Sequence, residues 1–78
     1  MSAVTIKLKF PLENGLSTLS LRRPKVRDML ASEKTKGSLG EQEVALFANL
    51  CERSPDEINA LDMADYKQLQ ETYQGFLS

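Results

Sequence analysis

From Val4 to Phe10 the chain alternates with a period of two: Val4, Ile6, Leu8 and Phe10 fall on one side, Thr5, Lys7 and Lys9 on the other. Alternation of this kind belongs to a strand with one face buried. Pro11 stops it, and Asn14-Gly15 supplies a turn signal, because both residues tolerate positive φ. Leu16 to Arg22 alternates again, with Leu19 and Leu21 opposite Thr18, Ser20 and Arg22. The two runs predict a β-hairpin within residues 3–23 that is apolar on one face only. A two-stranded sheet is not stable alone in water, so that face has to be covered by the rest of the chain.

The period then changes to that of a helix. Val26, Met29 and Leu30 recur at i, i+3 and i+4 behind Pro24, a residue suited to a first helical turn, and predict a helix over 24–34. A stripe at this spacing ordinarily faces the core, leaving the charged residues around it in solvent. Lys34 to Gly40 is polar and glycine-containing and reads as a loop. Over 41–52, Val44, Phe47, Ala48 and Cys51 share a stripe with Leu46 and Leu50 beside it, and Glu41 and Glu43 lie where the helix dipole favours acids.

Ser54-Pro55-Asp56-Glu57 is a capping box with proline at the first helical position, opening a short helix over 55–61. Asp62 caps a fourth helix over 63–77, with Asp65 at its third position and Leu61 and Tyr66 at the spacing of a hydrophobic staple. Tyr66, Leu69, Tyr73, Phe76 and Leu77 carry the helical spacing onward. The prediction is a small α+β protein, one domain over 1–78: an N-terminal two-stranded β-hairpin followed by four short helices, with no internal repeat.

With 78 residues, 41% hydrophobic and 27% charged, the composition is that of one globular domain. Chains of this length seldom build enough core alone and lean on disulfides, a metal or a partner subunit. A single cysteine, Cys51, allows no internal disulfide and suits a reducing, cytoplasmic setting. With no histidine and no spaced carboxylates around a glycine, neither a zinc nor a calcium site is expected. Association with other chains, homo-oligomers included, is the support that remains. No stretch is long and apolar enough to span a membrane, and Met1 to Lys7 alternates where a signal peptide would be continuously apolar.

Net charge is −1, but it is unevenly distributed. Residues 1–36 hold eight Lys/Arg against three Asp/Glu, and residues 37–78 hold two against eight, so a half with a surplus of five positive charges joins one with a surplus of six negative. Such a dipole fits an internal match or head-to-tail self-association as well as it fits nucleic acid.

Catalytic chemistry is missing from the pattern. The usual general base is absent, Cys51 sits on an apolar stripe where a thiol is inert, and helix capping accounts for both Asp62 and Asp65. Gly37 to Gly40 lacks the Lys-Ser/Thr ending of a phosphate loop. Neither an enzyme nor a cofactor is expected. Arg22-Arg23-Pro24-Lys25-Val26-Arg27 could touch phosphates, which keeps a small nucleic-acid-binding regulator as an alternative. No aromatic residue interleaves that run, and no separate helix carries base-reading side chains. The candidate protein-binding residues are Tyr73, Phe76 and Leu77, at a chain end where apolar side chains are hard to bury in so small a domain.

The ordered features also resemble a known family. They are Leu21-Arg22-Arg23-Pro24 leading to Asp28, Ala45-Leu46-Phe47-Ala48-Asn49-Leu50-Cys51, Ser54-Pro55-Asp56-Glu57, Leu61 to Tyr66, and Gly75-Phe76-Leu77. Together, from about Val4 to Leu77, the chain is similar to the small tail assembly chaperones of contractile-tailed phages, the Mu-like and P2-like group. Lys25 departs from the pattern, standing where family members often have a small capping residue. The resemblance implies a phage or prophage protein that binds the helical tape measure protein in the host cytoplasm and keeps it soluble until tube subunits polymerise. It also implies absence from the mature particle and, in many such phages, a longer frameshift product sharing this N-terminal part. A minor structural tail or connector subunit is the third reading.

Overall fold

In the computed structural model, which describes residues 3–78, the alternating runs form two antiparallel strands, β1 (Val4–Lys7) and β2 (Thr18–Leu21). Four helices complete the chain: α1 (Val26–Glu33), α2 (Leu39–Cys51), α3 (Pro55–Asn59) and α4 (Met63–Leu77). The predicted order is the observed one. Met1 and Ser2, the start of the alternating amino-terminal stretch, lie outside the described residues.

Val4 faces Leu21, Thr5 faces Ser20, Ile6 faces Leu19 and Lys7 faces Thr18. The pairing continues one step further, where Leu8 N–H donates to the Ser17 carbonyl at 2.9 Å. Beyond it the chain forms a wide connection in place of a two-residue turn. The Leu12 and Leu16 backbones bond each other, Gly15 N–H returns to the Leu12 carbonyl, and Asn14 Oδ1 accepts from Leu16 N–H. Only Gly15 of the Asn14-Gly15 pair takes a positive φ, of 90°; Asn14 acts through its side chain.

The core is one cluster. Ile6, Leu8, Leu19 and Leu21 come from the inner face of the hairpin, Leu46, Phe47, Ala48, Leu50 and Cys51 from α2, Ile58 from α3 and Leu69 from α4. Phe47, wholly buried, meets Tyr66 and Tyr73 edge-on at 5.5 and 5.6 Å, the geometry that the ring quadrupole favours. α2 is the central helix, packing against β2, α1 and α3. The alternation overreaches at both ends of its first run, since Val4 and Phe10 are 41% and 54% exposed. Val4 sits at the open end of the ladder opposite Leu21, and Phe10 lies beyond the paired residues.

Two helix starts differ from the sequence expectation. α2 begins at Leu39, two residues early, because Ser38 and Glu41 form a reciprocal capping box inside the segment read as loop. α1 begins at Val26, after Pro24, because Lys25 stays extended as the N-cap, its N–H held by the Asp28 carboxylate. At its far end α2 stops with Glu52 in the left-handed region at φ 55°, and Arg53 N–H reaches back to the Ala48 carbonyl. That is a Schellman closure built without glycine.

Candidate protein-binding surface

Helix α1 is oriented by a carboxylate, and its apolar stripe faces outward. Asp28, 3% exposed, accepts two hydrogen bonds from the Arg22 guanidinium at 2.8 and 2.9 Å, one from Lys25 N–H at 2.8 Å and one from Asn49 Nδ2 at 2.8 Å. The paired guanidinium holds the Asp28 carboxyl down at about 2 against the opposing effect of its burial, and the Lys25 amide adds to the pull. Asp28 therefore ties the hairpin exit, the start of α1 and the side of α2 at one point.

On the same side of α1, Asp28, Ala31 and Ser32, together with Thr35, line a small cleft against Ala45 and Asn49 of α2. Val26, Met29 and Leu30 lie on the opposite arc, 70%, 45% and 50% exposed. This corrects the reading of that stripe as core: of all the α1 residues only Asp28 is buried. The sequence did carry a signal, a lone aspartate one turn into a helix on the side away from the apolar stripe, preceded by arginine six residues earlier.

The same contacts break up the basic run. Arg22 is committed to Asp28, and Arg23 lies over the Phe76 ring at 5.7 Å, within cation–π range. Lys25 and Arg27 remain exposed.

Helix α4 places its residues the other way. Asp65, fully buried, accepts from Lys9 N–H at 2.9 Å, Phe10 N–H at 3.0 Å and Gln68 Nε2 at 3.0 Å. It fastens the end of the first strand run to α4, whereas its place in the sequence suggests only a helix cap. Asp62 does cap, accepting from Ala64 N–H at 2.9 Å. Tyr66 donates to Glu43 at 2.6 Å, and its phenol is held protonated first by burial and then by that carboxylate. Gln70 donates to the same oxygen.

Of the three candidate contact residues, Tyr73 packs on Phe47 and Phe76 lies against the core edge under Arg23, whereas Leu77 is 59% exposed. The Arg23–Phe76 contact sets the last turn of α4 beside the segment leading into α1. Cys51 is 7% exposed with its thiol pushed up to about 11 by burial, the environment of an inert thiol.

A groove of about 620 Å³ opens between the β1–β2 connection and α3, lined by Phe10, Pro11 and Leu12 with Glu13, Asp56, Glu57 and Asp62 among its rim residues. Among the described residues no group of three or more His, Cys, Asp or Glu is placed to hold a metal ion, and no helix is long and apolar enough to cross a membrane.

Residues 5–78 match the family model described as "Phage tail assembly chaperone proteins, E, or 41 or 14". No curated protein and no solved structure matches the chain significantly.

Proposed function

We infer that the chain, which belongs to the phage tail assembly chaperone family, works by binding the tape measure protein and keeping it soluble while the tail is built. The observation that carries this reading is the placement of apolar side chains in solvent. Val26, Met29 and Leu30 on α1 and Leu77 on α4 are each at least 45% exposed in a domain with little core to spare. A tape measure protein presents long apolar helical stripes, and exposed patches of this kind are what such a stripe can rest on.

The role needs no catalysis, cofactor or metal, and it is exercised in the host cytoplasm, for a phage or prophage, before the particle is complete. The client surface is centred on the end of α4, Tyr73, Phe76 and Leu77, with the half-buried Tyr73 as its foundation and Leu77 as its open end. Weak contacts become useful when multiplied, so self-association and a longer frameshift product carrying the same domain belong to this reading. Arg22 and Arg23 are occupied by Asp28 and Phe76, which weighs against the nucleic-acid alternative.

The test is co-expression with the tape measure protein of the same phage. The F76S/L77S variant should retain its hairpin and α2 by circular dichroism and lose client solubilisation. L77S alone, at a side chain already 59% exposed, separates binding from folding if the double variant unfolds. A folded L77S and F76S/L77S pair that still keeps the client soluble places the site elsewhere. A wild-type chain that leaves client solubility unchanged, binds duplex DNA at moderate salt, or remains in purified particles overturns the role.

A further inference from the structure

Two of the surfaces that the fold leaves open match each other and cannot meet within one chain. The first is α1, whose outward stripe of Val26, Met29 and Leu30 is bordered by the exposed cations Lys25 and Arg27, with Glu33 the lone outward acid in its last turn. The second is the groove between the β1–β2 connection and α3. Its apolar wall is Phe10, Pro11 and Leu12, with Phe10 54% exposed, and four carboxylates stand around it with no Lys or Arg among the lining residues. Arg53 approaches one of them, Glu57, at 3.6 Å, and Asn14 holds the same carboxylate; Asp62 is engaged by Ala64. Among the described residues Glu13 and Asp56 make no side-chain hydrogen bond or ion pair, and both are exposed.

Topology keeps the two apart. β2 runs from Thr18, at the end of the connection that walls the groove, to Leu21, beyond which the chain leads into α1. The groove and α1 therefore belong to opposite ends of the hairpin. This placement rules out an internal pairing of α1 with the groove, so a match between these two surfaces has to be made between copies.

We propose that α1 of one copy docks in the Phe10–Asp62 groove of a second copy, its apolar stripe on Phe10, Pro11 and Leu12 and its flanking cations among the groove carboxylates. The contact is heterologous, so each copy keeps one free α1 and one free groove, and the arrangement extends head to tail as a ring or an open array. It deepens the self-association in the reading above, and wherever it forms it covers the α1 stripe and leaves the client to the α4 ends. Each added copy brings another α4 end, which raises the effective concentration of client sites along one long helix.

Two single variants test it without touching the core. V26E places a carboxylate in the first turn of α1, where the helix dipole favours it and the groove repels it. E13K reverses one free groove charge on an exposed loop. With folding checked by circular dichroism, sedimentation equilibrium of the full chain should show wild-type association weakening at least about tenfold between low and high salt. Each variant alone should associate at least about tenfold more weakly than wild type.

Mixing the two decides the geometry. V26E retains a good groove and E13K a good α1, so an equimolar mixture should form a 1:1 pair that grows no further. A mixture that stays monomeric, or a V26E that associates like wild type, overturns the proposal. So does a wild-type chain that is monomeric at low salt across the accessible concentrations. If E13K leaves association unchanged but lowers client solubility, the groove belongs to the client and the proposal fails, while the chaperone reading stands. If association is lost and client solubility is retained, the head-to-tail contact is upheld and its link to avidity is not.

Discussion

Helices α1 and α4 are each anchored by an aspartate in the first turn, and they end up inside out relative to one another. Asp28 takes Arg22, the Lys25 amide and Asn49; Asp65 takes the Lys9 and Phe10 amides and Gln68. In α4 the aspartate and the apolar stripe point inward together, so Leu69 is wholly buried and Tyr66 and Tyr73 flank Phe47. In α1 the aspartate and the stripe lie on opposite arcs, and the aspartate prevails. Four hydrogen bonds to a carboxylate, two of them from a guanidinium, would be lost by rolling the helix over, and a buried carboxylate left without its partners costs more than three half-exposed apolar side chains regain. A helical stripe records that one side is apolar; the groups that need partners decide which side is covered.

The largest effect expected from that contrast is in α4. Leu69→Ala removes a side chain with no exposed surface from the junction with the hairpin, and should cost about 2–5 kcal/mol in a urea titration, enough to leave much of the population unfolded. A cost under about 1 kcal/mol would mean that α4 is loosely held and that the contrast with α1 is not real.

Acid separates the two anchors next. The folded Asp28 carboxyl lies at about 2, below its ordinary value of 3.8, so it adds stability that is fully present above about pH 4 and is lost as pH falls toward 2. With Arg22 29% exposed, solvent screening reduces that contribution to about 1–2 kcal/mol. Glu57, also held low by the Ser54 amide, is the same in both proteins, so the difference between wild type and Asp28→Asn isolates Asp28. Urea midpoints of the two should converge on going from pH 5 to pH 2.5. A constant gap would show that the ion pair does not orient α1.

These contrasts also mark what was legible in the sequence. Local chemistry gave the hairpin, the Ser54 and Asp62 caps and the order of elements, because alternation and caps act between neighbours in the chain. Ser38 with Glu41 is equally local but hidden inside a polar segment. What could not be read was long-range: Asp65 reaching the Lys9 and Phe10 amides across more than fifty residues, and Asp28 reaching Asn49 on α2. Those bonds turn α1 outward, set Phe76 under Arg23 and create the groove at Phe10. The candidate residues Tyr73, Phe76 and Leu77 stand out by their position at a chain end, which identifies apolar residues there without telling Tyr73 on Phe47 from Leu77 in solvent.

The smallest expected effect breaks the comparison most directly, because it repeats the Leu69 substitution on the other helix. Leu30→Ala removes the same atoms from a side chain that is 50% exposed and bordered on its arc by Val26 and Met29 rather than by core. Half of its surface is already in water, so only about half of a buried leucine's transfer free energy is at stake, and no cavity is left to add to it. Alanine is also the better helix former, which returns a few tenths of a kcal/mol. The net change should stay below about 1 kcal/mol in the same urea titration, run dilute enough that the chain is monomeric. Run concentrated, the same variant should lose association if α1 is a docking surface, since the apolar area it gives up is then buried against a second copy. A Leu30→Ala cost approaching that of Leu69→Ala at low concentration would place the α1 stripe in the core and remove the basis for both surfaces assigned to it.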